Sequence, residues 1–335
     1  MTRVAVIGVG AMGRNHARIY REVRDCDLVG VADPDAAIAG EIAALNGTRL
    51  YTDYSAMIRQ EHPDAVSVVV PTRYHKSVVL DVLQAGCHVL VEKPISATPK
   101  EAEDMITAAT RAGRLLMVGH IERFNPVIRE LKRRIEQGQV GRLFQIHTRR
   151  LGPFPPRVRD VGVVVDLATH DIDVIRYLTG SEGVRLYAET KREVHTSRED
   201  MLTGLIRFEN DLLAVLEVNW LTPTKIRELT VTGERGMFRA DYLTQDLYFY
   251  ENAEVSGTPW DAIQVLRGVS EGPMSRLAVR KEEPLRVEID NFLAAAQGRQ
   301  AQVATGADGL AALRLALALI ESGEKHQSVG LTAAL

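Results

Sequence analysis

The stretch Val4-Ala5-Val6-Ile7-Gly8-Val9-Gly10-Ala11-Met12-Gly13 decides how the rest of the chain is read. Val4 to Ile7 is a short apolar run with the character of a buried strand, and Arg14 to Val23 carries a helical pattern. Gly-x-Gly-x-x-Gly between a strand and a helix gives each glycine a task. Gly8 makes a tight turn, Gly10 lets a pyrophosphate approach the backbone, and Gly13 lets helix pack closely on strand. The helix then presents free N–H groups and its positive dipole end to the phosphates. The next strand, Asp27 to Ala32, ends at Asp33, about where a carboxylate takes the adenosine ribose of a dinucleotide. A carboxylate there repels a 2′-phosphate, so the expected cofactor is NAD rather than NADP. The plainer alternative for Asp33 is a turn residue before Pro34.

Working outward, helices alternate with short apolar strands through the first third. Strands are expected at Ala65 to Val70, His88 to Val91 and Leu115 to Val118, with helices at Lys76 to Ala85 and Pro99 to Ala112. That alternation defines a doubly wound parallel sheet, a Rossmann domain expected over residues 1–122. The remainder, 123–335, reads as an α+β domain with a mostly antiparallel open sheet. Its alternating runs include Leu143 to Arg150, Val184 to Arg192, Leu202 to Phe208, Leu212 to Trp220 and Ile226 to Thr232. Turns are expected at Glu209 to Asp211 and Gly233 to Gly236, and residues 252–283 read as irregular. Amphipathic helices at Leu285 to Gln297 and Asp308 to Ser322 close this second domain.

Composition excludes several classes. A chain of 335 residues is too long for one ordinary core, and 45% apolar with 25% charged residues is typical of a globular protein. A net charge of -3 gives no reason to expect nucleic acid or an anionic membrane as partner. No apolar run spans a bilayer, and the chain starts directly in a strand with no signal peptide, so the cytoplasm is the expected location. Two cysteines, Cys26 and Cys87, support neither a disulfide framework nor a zinc site, and no metal is expected.

Two further stretches carry chemistry. Glu92-Lys93-Pro94 follows the strand His88 to Val91, at the strand end where open α/β sheets bind ligands. Val161 to Gly180 reads as a helix in which Asp166 and His170 share a face one turn apart. A carboxylate beside an imidazole fixes its tautomer and raises its basicity, although a surface ion pair gives the same pattern. His16 faces either the cofactor or the helix surface. Cys87, His88 and Trp220 read as structural residues.

The glycine-rich start, the Glu-Lys-Pro turn and the Asp-x-x-x-His helix ahead of a sheet domain resemble the Gfo/Idh/MocA family of NAD(P)-dependent sugar oxidoreductases. The resemblance implies a dehydrogenase with Lys93, Asp166 and His170 as its catalytic group. It implies that Gly8, Gly10, Ala11, Met12, Gly13, Asp33, Pro71, Thr72, His75, Glu92, Lys93 and Arg123 hold the cofactor. The Lys93–Pro94 peptide is often cis in the family. Where many members have paired glycines before the Asp-x-x-x-His helix, this chain has Val161-Gly162-Val163.

More narrowly, Gly119 to Pro126 and Gly152 to Gly162 are similar to a branch that oxidises the 3-hydroxyl of UDP-N-acetylglucosamine. Arg149, Arg150, Arg157 and Arg159 precede the catalytic helix, and arginine suits bidentate capture of a pyrophosphate. Substrate contacts are therefore expected from Lys93, Arg149, Arg157, Arg159, Asp166 and His170, with a nucleotide sugar or a sugar as substrate. Alternatives are an inositol or free-sugar dehydrogenase, a hydrolase using bound NAD in an oxidation–elimination cycle, and a binding-only sensor. The sheet is expected to pack on a second copy, giving a homodimer or homotetramer.

Overall fold

The structure, a computed structural model, describes residues 1–155, 161–194, 198–253 and 271–331. Two compact units divide the chain: Met1–Phe124 with Glu282–Arg314, and Asn125–Lys281 with Leu315–Leu335.

The first unit holds β1 (Thr2–Ile7), α1 (Gly13–Glu22), β2 (Cys26–Ala32), α2 (Ala36–Asn46), β3 (Arg49–Tyr51), α3 (Tyr54–Glu61), β4 (Ala65–Val68), α4 (His75–Gln84), β5 (His88–Glu92), α5 (Pro99–Ala112) and β6 (Leu116–Gly119). The six strands run parallel in the order β3-β2-β1-β4-β5-β6, so the winding reverses between β1 and β4. That is the doubly wound Rossmann arrangement, and its switch point is where such sheets bind ligands. Local signals set the helix ends. Thr98 and Glu101 form a capping box at the start of α5, and Gly113 ends it in the left-handed region. Strand β4 ends two residues earlier than expected, because the Val70 carbonyl faces the His75 ring instead of a neighbouring strand.

The second unit contains α6 (Pro126–Glu136), β7 (Leu143–Pro153), α7 (Thr169–Thr179), β8 (Gly183–Lys191), β9 (Met201–Phe208), β10 (Leu213–Asn219), β11 (Leu221–Gly233), β12 (Gly236–Asp241), β13 (Asp246–Asn252), β14 (Glu271–Leu277) and β15 (Val329–Gly330). The sheet order is β14-β13-β12-β11-β7-β10-β9-β8-β15, antiparallel except where β10 lies parallel to β7. Alternation is clear in β9, where Leu202, Ile206 and Phe208 are buried while Thr203 and Leu205 point outward. The turns before β10 and β12 fall where expected. Strand β14 lies inside the stretch read as irregular, because Pro273 and Gly272 masked its pattern.

The last two helices, α8 (Pro284–Ala296) and α9 (Gly306–Lys325), depart from the expected domain layout. Helix α8 belongs to the first unit, and the division falls within α9. Leu285, Ile289, Phe292 and Leu293 form one stripe of α8 and join the core made by Val4, Ile19, Tyr20 and Leu28. Full burial of Ile289 and Phe292 contributes about 1.5–3 kcal/mol each. A periodic stripe shows that a helix is amphipathic but not which sheet it covers. Among the described residues, no helix is long and apolar enough to cross a membrane.

Candidate active site

The glycine-rich turn is shaped by contacts that tolerate no side chain. A Cβ on Gly8, which has φ +85°, would lie 2.6 Å from the Val69 carbonyl oxygen, and one on Gly13 would overlap the Gly8 carbonyl. At Gly10 there is open space instead. Met12 supplies no side-chain cap to α1; the Arg14 N–H turns back to the Gly10 carbonyl at 3.2 Å and the Asn15 N–H to the Met12 carbonyl at 2.9 Å, so the turn is closed by backbone alone and no side chain blocks the positive end of the helix. Asp33, at the end of β2, accepts from the Val9 N–H at 2.9 Å and the Asp35 N–H at 3.0 Å. Its carboxylate is thereby locked beside the turn, with lone pairs to spare for a ribose. An open backbone cradle at Gly10, the positive end of a helix and a fixed carboxylate fit a dinucleotide.

Further along the same sheet edge, Pro71 precedes a 3₁₀ turn, Thr72–Tyr74, that leads into α4. His75 is only 1% exposed, and its ring does not line open space. Nδ1 faces the carbonyl oxygens of Pro94 at 3.0 Å and Ile95 at 3.2 Å, while Nε2 faces the Val70 oxygen at 2.9 Å. Burial lowers its pKa against these carbonyls. The ring thus ties the end of β4 to the turn after β5, and it acts by position. The Lys93–Pro94 peptide is cis.

Glu92 ends β5 and is largely buried. One carboxylate oxygen accepts the Lys93 N–H at 3.1 Å, and the other faces His16 Nε2 at 3.1 Å. Burial pushes this carboxyl up. The hydrogen bond from His16, with the Lys93 charge and N–H, outweighs it and holds the pKa below the usual range. His16 is completely buried, neither open to a cofactor nor on the helix surface.

In the second unit, Asp166 lies in a π-helical turn, Val164–Ala168, and only then does α7 begin at Thr169. A regular helix was expected throughout. Such turns insert an extra residue per turn and are frequent at functional sites. Gly180 stops α7 in the left-handed region, as its position suggested. Glu199 secures the start of the turn: its carbonyl accepts the Val163 N–H at 3.0 Å and its carboxylate the Val164 N–H at 3.2 Å. A Cβ on Gly162 would overlap that carboxylate, so the single glycine is what lets Glu199 close in. Burial pushes the Glu199 carboxyl up, and its backbone donors only partly offset this. Asp171, next to His170, accepts from Arg150 through Nε at 3.1 Å and Nη2 at 2.9 Å. Arg150 also stacks 5.0 Å from the Tyr242 ring centroid.

The arginines divide. Arg123 is 5% exposed and pairs with Asp308 through both terminal nitrogens, at 3.0 and 3.3 Å. Burial pushes Asp308 up, but the Arg123 charge and hydrogen bonds, with those of Thr305, lower its pKa to about 2. Arg123 therefore holds the start of α9. Arg149 sits on β7 directly opposite Glu217 of β10 and Glu228 of β11, at 3.2 and 3.4 Å. Arg157 and Arg159 lie outside the described residues. Cys87 is buried, with its thiol pushed up to about 11 by burial, and is unreactive. The sequence left His16 between cofactor and helix surface, and gave no signal for Glu199 and Asp171, because each partner is distant in the chain.

Residues 2–120 match the GFO/IDH/MocA family described as "Oxidoreductase family, NAD-binding Rossmann fold", and residues 128–239 match the GFO/IDH/MocA C-terminal domain. The chain belongs to this family of NAD-binding oxidoreductases. It is 32% identical over 315 residues to a UDP-N-acetylglucosamine 3-dehydrogenase from Acidithiobacillus ferrooxidans, covering 94% of this chain and 95% of that one. A solved structure of that dehydrogenase superposes with a TM-score of 0.84 at 31% identity, over 97% of this chain and 98% of that one. An Escherichia coli D-glucoside 3-dehydrogenase is 26% identical over 98% of this chain and 97% of its own length. Inositol 2-dehydrogenase 4 from Saccharopolyspora erythraea reaches 36% identity, over 54% of each chain.

Proposed function

We propose that the protein is an NAD-dependent dehydrogenase that oxidises the 3-hydroxyl of UDP-N-acetylglucosamine to the 3-keto sugar. The observation that carries this reading is the end-to-end likeness to a UDP-N-acetylglucosamine 3-dehydrogenase, over 94% of this chain and 95% of that relative. The E. coli relative, similarly full-length, is also a 3-dehydrogenase.

Gly8, Gly10, Ala11, Met12, Gly13 and Asp33 hold the adenosine and pyrophosphate side of NAD, and Pro71, Thr72, Glu92 and Lys93 hold the nicotinamide side. Asp33 favours NAD over NADP because a second anion beside its carboxylate is repelled. Bound NAD supplies the hydride acceptor. His170, oriented by Asp166, takes the hydroxyl proton, and Lys93 polarises that hydroxyl. The protein's own contribution is positioning and proton removal. His75 and Arg123 support the site from behind. Arg149 already has a carboxylate on each side, which leaves Arg157 and Arg159 as the arginines to meet the pyrophosphate. The outward face of the nine-stranded sheet, where Tyr187 and Leu205 are exposed register partners, packs on a second copy in a homodimer or homotetramer.

A panel of UDP-N-acetylglucosamine, free N-acetylglucosamine, myo-inositol and glucose, followed by NADH formation with and without 2-oxoglutarate, tests the assignment. Turnover with the UDP sugar alone, abolished in Lys93→Ala, is expected. Better turnover with myo-inositol would replace it with inositol oxidation, which the 36% identity to an inositol 2-dehydrogenase favours.

A further inference from the structure

His16 lies one turn into α1 and has no part in the roles assigned so far. Its buried ring is nonetheless linked to Lys93 through a single carboxylate. Glu92 accepts the Lys93 N–H with one oxygen and faces His16 Nε2 with the other, each at 3.1 Å. A carboxylate can only accept, so the ring donates from Nε2. In the neutral ring Nδ1 accepts from the Ser67 hydroxyl at 3.1 Å, which makes the Tyr20 hydroxyl the donor to Ser67 Oγ at 2.7 Å. Tyr20 is fully buried, and burial pushes its phenol far up, so it remains a donor. With these polarities every atom of the chain has a partner, and the direction runs one way from Tyr20 to Glu92. Behind the carboxyl there is no slack, since a Cβ on Gly119 would lie 3.1 Å from it.

We propose that His16, backed by Ser67 and Tyr20, is a positioning residue that pins the Glu92 carboxylate against the Lys93 peptide and so sets the placement of Lys93 for the reaction. Its catalytic consequence rests on the role given to Lys93 above; its structural content does not. The charged and titratable groups acting on Glu92 are His16 from α1, Lys93 beside it, and His75 from α4. With His16 removed, the upward push of burial on Glu92 is opposed mainly by Lys93. The acid limb of the rate profile then moves toward neutral pH.

The test uses the full chain with His16→Ala, His16→Gln and Ser67→Ala. The titration of Glu92 is followed in cofactor-free protein by infrared difference against Glu92→Gln, and the pH profile of kcat/KM is read alongside. His16→Ala is expected to raise the Glu92 midpoint and cost about tenfold in kcat/KM, the worth of a hydrogen bond to a charged group. His16→Gln keeps an N–H donor and should recover most of that loss. Ser67→Ala should shift the midpoint in the same direction by less. An unmoved Glu92 midpoint in folded His16→Ala overturns the proposal, as does His16→Gln behaving no better than His16→Ala. Should His16→Ala lose its cooperative melt, an unmoved midpoint in Ser67→Ala overturns it instead. Wild-type activity in Lys93→Ala would sink the assigned role of Lys93 while leaving the infrared result to stand for His16.

Discussion

Glu92 in the first unit and Glu199 in the second are both buried glutamates bonded to the backbone beside residues assigned to proton chemistry. Burial acts on both in the same direction. Glu92 nevertheless ends below the ordinary carboxyl range and Glu199 above it. The difference lies in the partners. Glu92 meets an imidazole donor and the neighbouring Lys93 charge, whereas Glu199 has mainly backbone N–H groups, with Arg198 and Arg192 contributing less. A backbone cap satisfies a carboxyl without holding its charge; that takes a cation or strong donor delivered by another element. The pH consequences are opposite. Glu92 stabilises the fold above the unfolded carboxyl range, and that contribution is lost as pH falls through its depressed folded value. Glu199 contributes below the unfolded range, and its contribution is lost as pH rises through its raised folded value.

Five substitutions probe this contrast, in descending size. Lys93→Ala and His170→Ala should each lower kcat by about 10²–10⁴-fold, the usual worth of a positioned acid or base, in steady-state assays of NADH formation. A loss confined to one of them would mean that one half alone carries the proton chemistry. Gly162→Ala forces a methyl into the Glu199 carboxylate and should cost about 1–3 kcal/mol in denaturant unfolding. An unchanged midpoint would show that Glu199 can retreat without loss. Glu199→Gln retains the acceptor for Val164 and removes the buried ionisation. It should match the parent at acidic pH and become the more stable of the two as pH rises, in melts across pH; a constant gap would refute the raised value. Arg149→Ala should change stability by less than about 0.5 kcal/mol and leave KM within about twofold, since the exposed triad with Glu217 and Glu228 is weak. A large rise in KM would return Arg149 to the substrate.

Short-range signals were legible in the chain itself. The glycines at 8, 10 and 13 follow from sterics within a few residues, and the bounds of α5 follow from its capping box and Gly113. The Rossmann sheet, the mostly antiparallel second sheet and the Glu-Lys-Pro turn could be read for the same reason, since apolar periodicity and turn residues act locally. Only the tertiary structure decided who partners whom. Arg149 is matched by Glu217 and Glu228, 68 and 79 residues away, and Arg123 by Asp308, 185 residues away. His16 meets Glu92 across 76 residues, and α8 returns from the far end of the chain to cover the first sheet. Charge and apolar pattern declare that a side chain needs a partner. Which partner it receives depends on strand register and on which face is left to cover, and neither is written in any local stretch.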